Sequence, residues 1–302
     1  MMKTHRARLW LPTAALMFGI GAVSMAAILV RWANAPATVI GFWRMAFAAV
    51  AMLLPFAHAA QSALGKPARA EHNSRYVVLT IVAGFFFALN LAAWNTSAQI
   101  TTAANVTLLG NLSVVWVSLT AMILFKQKLR RAFWGGLALA LIGVTIILGQ
   151  DLIAHPAFGV GDLFAIAASF AYTVYLLVME RARAGLNALG AWWISTVVCG
   201  LTLLGMSVAL GASLTAYPLT SFAIFAVMAF VVQIGGFLSL NFAQGHLPAP
   251  IVSASLLAQP VLTALLAVPL LGQALAPSQL IGGALVLGGI VTVHKSRISA
   301  KA

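Results

Sequence analysis

Four neutral amides, Asn90, Asn111, Gln233 and Gln259, stand inside long apolar stretches of this sequence. An amide offers two donors and an acceptor oxygen, so a set of them suits a zwitterion or another polar uncharged solute. In hydrocarbon such groups are costly unless they face protein or water, and their arrangement therefore marks a solute path. They recur at helical spacing with other polar or aromatic residues: Phe86, Asn90, Trp94 and Ser97; Thr107, Asn111 and Ser118; Gln233, Phe237, Asn241 and Gln244; Ser255, Gln259 and Thr263. The alternative for each amide is a bond to a neighbouring helix with no solute in contact. Tyr172 and Tyr175 lie three apart beside Ser169 and Thr173, and a buried tyrosine hydroxyl needs a partner from another helix or from the cavity. Trp94 and Trp116 would make the pocket tolerant of aromatic solutes.

Arg44 is the charged residue that falls inside an apolar stretch. One reading makes it the docking point for a substrate carboxylate; the other has it snorkel to the interface or brace a helix through a carbonyl. Glu71, Asp151, Asp162 and Glu180 all fall in loops or at helix ends. A proton relay through a buried carboxylate is not expected, and facilitated flow or exchange down the solute's own gradient is. Catalysis would need paired titratable groups, a metal cluster or an activated nucleophile. The sequence supplies none of these, so no catalytic residue, metal or cofactor is expected, and Cys199 reads as a packing residue.

The elements that carry these residues follow from composition. Of 302 residues, 62% are apolar and 7% charged, against roughly a quarter charged in a soluble domain. Segments near the ~20 residues that cross hydrocarbon recur along the chain. They lie at Trp10–Val30, Ala37–Phe56, Tyr76–Thr96, Thr102–Phe125 and Phe133–Leu148, and again at Gly161–Met179, Leu189–Leu210, Ser221–Gln244, Ala249–Leu270 and Gln279–Val293. We number these helices 1 to 10. A β-barrel would alternate apolar and polar residues, whereas these runs are continuously apolar. Helix 1 imitates a signal peptide, but its apolar run is too long and Pro36 would follow the cut. Pro260 in helix 9 is expected to interrupt the helix ladder.

The net charge of +13 does not indicate nucleic acid, because the basic residues sit in short clusters between apolar runs. Of the 17 Lys and Arg, all but Arg31 and Arg44 fall at the two termini and in the loops after helices 2, 4 and 6. The positive-inside rule then puts both termini in the cytoplasm.

Displaced by 145 to 149 residues, the chain matches itself. Gly41 and Trp43 fall on Gly190 and Trp192; Ala98, Gln99 and Ala104 on Ala243, Gln244 and Ala249; Gln127, Leu129, Gly136 and Gly143 on Gln273, Leu275, Gly282 and Gly289. Each half, 1–150 and 151–302, holds five helices, so the second enters the membrane inverted. The expected fold is an all-α integral membrane protein of ten transmembrane helices in two inverted-topology five-helix repeats. Gly135, Gly136 and Gly143 in helix 5 and Gly282, Gly283, Gly288 and Gly289 in helix 10 read as close helix packing outside the cavity, at the contact of a homodimer.

The ten helices, the two repeats, the segment GDLFAIAASFAY that opens the second half and the glycine-bearing ends of both halves resemble the drug/metabolite transporter superfamily, in its EamA-type exporter branch. The resemblance implies export of amino acids or other small metabolites from a bacterial-type inner membrane, with the aromatic and neutral amino acid exporters nearest. Many members carry Gly-Glu after helices 4 and 9 where this chain has Lys126-Gln127 and Gly272-Gln273, so that glutamate's role is not carried over. The rival expectation is a membrane sensor that binds a small solute without moving it.

Overall fold

The computed structural model describes residues 2–64, 70–101, 103–154, 159–271 and 276–298. Lys66, Arg69, Lys301 and the repeat positions Gly272, Gln273 and Leu275 lie outside the described residues. Within them the spanning segments are all helical, because a backbone in hydrocarbon must satisfy its own hydrogen bonds. Nine helices are long and apolar enough to span a membrane, and a tenth is completed by helix 2, which bends by 51° between Ala37–Ala51 and Leu53–Ala59.

The observed helices are 3 (Ala70–Ile100), 5 (Arg131–Ala154), 6 (Val160–Ala182), 7 (Ala188–Ala209) and 10 (Pro277–Ile298), with helix 1 in two pieces, Met2–Ser24 and Ala26–Ala33. Helix 4 is broken into 4a (Ala103–Gly110) and 4b (Ser113–Ile123), and helix 9 into 9a (Ala249–Leu256) and 9b (Gln259–Leu271). Helix 8 runs from Leu219 to Gln244 and is π-helical over Met228–Leu238. The starts are set by local chemistry. Pro36, Pro218 and Pro248 precede helices 2, 8 and 9 in extended backbone, and the Asn187 side chain accepts from the Gly190 amide at 2.7 Å to cap helix 7.

The two halves exchange equivalent contacts. Helix 1 packs on helix 8 as helix 6 packs on helix 3, while helices 2 and 7 and helices 5 and 10 pair with their own repeat mates. The pairing of 5 with 10 absorbs the glycine faces. A methyl on Gly143 would lie 2.5 Å from the Gly282 carbonyl oxygen, and one on Gly136 2.7 Å from that of Gly289; the reciprocal distances are 2.6 and 2.5 Å. These glycines therefore join the halves of one chain, because only a missing side chain lets the backbones approach so closely. The dimer contact expected on these faces is not made by them.

The halves also differ. Helices 4b and 9a pack together, whereas 4a lies on helices 3, 5 and 6 and 9b on helices 1, 5 and 10. All eight residues of 9a are buried, while Thr107, Leu108, Leu109 and Gly110 of its repeat mate 4a are half-buried. Helix 9a, at the end carrying the 8/9 corner, is thus packed more tightly than helix 4a, at the end carrying the 3/4 corner.

Candidate solute site between the two halves

Arg44 enters the bundle from helix 2 and is 4% exposed, so it does not snorkel. Its Nε and Nη2 both donate to Gln233 Oε1 of helix 8, at 3.2 and 2.9 Å. Gln233 in turn donates through Nε2 to Thr196 Oγ1 of helix 7 at 3.0 Å, and its backbone carbonyl accepts from Trp192 Nε1 at 3.0 Å. The Gln233 amide is thereby fixed in orientation, oxygen to arginine and nitrogen to threonine. It sits inside the π-helical stretch of helix 8, a distortion often found at functional positions.

Aromatic rings close round this pair. The guanidinium carbon is 5.3 Å from the Phe237 ring centre, within cation–π range. Phe87 stacks on Tyr175 at 4.7 Å and meets Phe237 at 4.8 Å, and Tyr172 stacks on Tyr175 at 5.6 Å. Tyr175 is 3% exposed while Tyr172 is half-buried. The electrostatic neighbours of Arg44 are Cys199, Tyr175 and Tyr172, with no carboxylate among them. Asp162 is occupied at the 3/4 corner, where its two oxygens accept from Thr101 Oγ1 at 3.0 Å and the Gly159 amide at 2.7 Å. Glu180 lies two residues from the end of helix 6. A buried cation that holds only a neutral amide and ring faces retains capacity for an anion.

The other candidates lie on helices 3, 4 and 9. Asn90 is half-buried and donates through Nδ2 to the Ala168 carbonyl of helix 6 at 3.0 Å, so one of its functions is to tie helix 3 to helix 6. Trp94 stands against Gly110, where a methyl would lie 3.5 Å from the indole Cδ1, and so borders the break in helix 4. Asn111 occupies that break, with Nδ2 buried and without a hydrogen-bond partner. Gln259 is half-buried and opens helix 9b directly after the break at Leu257 and Ala258. Pro260 accounts for that break, since it cannot donate to the Leu256 carbonyl one turn back. The two breaks fall at equivalent repeat positions. Interrupted helices at matching places in two inverted halves point to a solute site, because loosened backbone is tolerated at membrane depth where it lines a cavity.

Arg44, Gln233, Tyr172 and Tyr175 thus form one cluster, and Trp94 and Asn111 gather at the helix 4 break. Trp116 is committed to helix 6, donating to Ser169 Oγ at 3.2 Å and stacking on Phe170 at 4.7 Å. Sequence reasoning passed over Phe87 and Thr196. The signal for the latter was present: Trp192 and Thr196, which both bond Gln233, share one face of helix 7 at i and i+4, and Cys199, 0% exposed in the core, packs as expected. Among the described residues, no three His, Cys, Asp or Glu gather to hold a metal ion.

Ten apolar helices in two inverted halves, with a polar and aromatic cluster where they meet, define a multi-pass membrane protein of the inverted-repeat class. The sequence profile of the EamA-like transporter family matches residues 5–149 and 159–294, so both halves are recognised and the chain belongs to that family. It is accordingly a membrane transporter of small solutes. A solved structure titled only "Crystal structure of protein" is similar in fold, with a TM-score of 0.74 at 17% identity over 96% of this chain and 99% of that one. Comparison with curated proteins gives no match.

Proposed function

We propose that this transporter exports small amino acids, aromatic and neutral ones foremost, by alternating access through the central site, without a buried proton relay. The observation that carries the proposal is the Arg44 guanidinium, buried beside Gln233 and aromatic rings with no carboxylate as partner among the described residues. A solute carboxylate supplies the missing anion through charge-assisted bonds. The Tyr172, Tyr175 and Phe237 rings offer an apolar side chain a surface to stack on. Asn90, Trp94, Asn111 and Gln259 line the same path and present amides to the solute's ammonium group.

Halves 1–150 and 151–302 rock against each other about the 5/10 and 2/7 pairings. The contact of 4b with 9a then gives way to one of 4a with 9b, and the breaks in helices 4 and 9 mark where each gate pivots. The described conformation is packed more loosely at the 3/4 corner, which is taken as the side that opens. We take that corner to face outward from a bacterial-type inner membrane, with both termini in the cytoplasm, a reading that the clustering of Lys and Arg supports.

Uptake of radiolabelled phenylalanine, leucine, alanine, uridine and glucose into liposomes holding the purified chain tests the proposal. Saturable flux of the amino acids, unchanged when a pH gradient is added, is the expected result. Flux of the nucleoside or sugar with none of the amino acids would overturn it.

A further inference from the structure

A concavity lined by none of the Arg44 cluster lies elsewhere in the chain. At the basic end of the bundle a cleft of about 270 Å³ opens between the segment joining helices 4 and 5 and the corner joining helices 8 and 9. Lys128 and Arg130 stand exposed on the extended segment 126–130 along one side, and His246 is exposed on the other. Phe133, Pro250 and Ile251 line it with apolar surface and are themselves buried. No acidic residue lines the cleft, so nothing in it offsets the two cations.

We propose that this cleft binds the headgroup phosphate of an anionic phospholipid. Arg130 presents a fork that matches phosphate oxygens and Lys128 a mobile point charge, the two usual protein partners of a phosphate ester. The apolar lining suits the glycerol and upper acyl region that follow the phosphate. Its place at the ends of spanning helices puts the cleft at headgroup depth, where basic pockets between helices take such lipids. Its walls come from both halves, residues 127–133 from the first and 246–251 from the second. A bound headgroup therefore bridges the halves at the end where 4b and 9a are already closed together.

Thermal melting of the purified full chain in a neutral detergent tests this, with phosphatidylglycerol, phosphatidylcholine or glycerol 3-phosphate added. Phosphatidylglycerol should raise the melting temperature with concentration, by on the order of 5 °C at a hundredfold excess over its dissociation constant, and the other two should not. Lys128→Gln/Arg130→Gln, both on an exposed segment, should abolish most of that shift. Arg75→Gln/Lys295→Gln, which removes equal charge from exposed positions outside the cleft, should keep it. Equal stabilisation by phosphatidylcholine, or equal loss of the shift in both double variants, would overturn the site in favour of general lipid or diffuse charge effects. Stabilisation by glycerol 3-phosphate alone would overturn the lipid assignment in favour of a soluble phosphate ester.

Discussion

Replacing Arg44 with methionine separates what this side chain does for folding from what it does for the solute. In the folded chain the guanidinium is 4% exposed and bonded twice to Gln233 Oε1. An arginine in the middle of a spanning helix costs about 2.5 to 3.5 kcal/mol on insertion scales. Methionine removes that cost and roughly keeps the volume, but strands a buried acceptor oxygen on Gln233, at about 1 to 3 kcal/mol. The two contributions nearly cancel, so Arg44→Met should melt within a few degrees of the parent chain. Gln233→Met is the unequal partner: it leaves the guanidinium buried with no amide to bond, and should be clearly the less stable of the two. The double variant loses both members of the pair and should recover stability. For the solute the balance differs. Loss of charge-assisted bonds worth about 1.5 to 3 kcal/mol should weaken phenylalanine binding roughly 10- to 150-fold. Melting curves in detergent and uptake into liposomes read the two effects side by side. A stable Arg44→Met chain that moves phenylalanine at the parent's half-saturating concentration would refute the reasoning, as would an Arg44→Met chain less stable than Gln233→Met.

The packing of helices 5 and 10 predicts opposite outcomes at two glycines of helix 5, Gly143 and Gly135. Gly143→Ala forces a methyl to 2.5 Å from the Gly282 carbonyl oxygen and should cost about 1 to 3 kcal/mol, whereas Gly135→Ala, with nothing within 4 Å, should be neutral or gain up to about 1 kcal/mol; melting temperatures decide. The unequal gates predict unequal labelling: with Cys199 replaced by Ala, a membrane-impermeant maleimide should modify Thr107→Cys in half-buried helix 4a and spare its repeat mate Ser253→Cys, which is 0% exposed. Addition of transported solute should narrow that difference if the gates alternate. The Arg181 guanidinium lies 3.4 Å from the Phe125 ring centre and ties helix 6 to the end of helix 4; Phe125→Leu should cost about 0.5 to 1 kcal/mol in the same melting assay.

The ten spans were legible because hydrocarbon thickness fixes their length and the apolar runs are continuous. All ten expected segments coincide with observed helices at their cores. The repeat was legible through the glycines, since a backbone contact as close as that of Gly143 with Gly282 tolerates no other residue and preserves the spacing in both halves. What those glycines touch was not legible: a small-residue face reads alike whether it meets another chain or the other half of its own. Helix interruptions were half visible. Pro260 announced the break in helix 9, but Gly110 and Asn111 are compatible with a continuous helix 4, and nothing in the run 228–238, apolar but for Gln233 and the glycines Gly235 and Gly236, signals its π-helical winding. The pairing of Arg44 with Gln233 joins residues 189 apart. Local periodicity places each on its own helix face, and only the packing of helices 2, 7 and 8 brings them and Thr196 together.

The central claim is that a solute carboxylate docks on Arg44, and equilibrium binding of phenylalanine against phenylalaninamide tests it most directly. The two ligands share ring and ammonium group and differ at the carboxylate. The account predicts that the purified chain binds phenylalanine at least about tenfold more tightly than the amide, and that Arg44→Met abolishes the preference while remaining folded. Equal affinity for the two ligands in the parent chain, or a preference that survives in Arg44→Met, would contradict it.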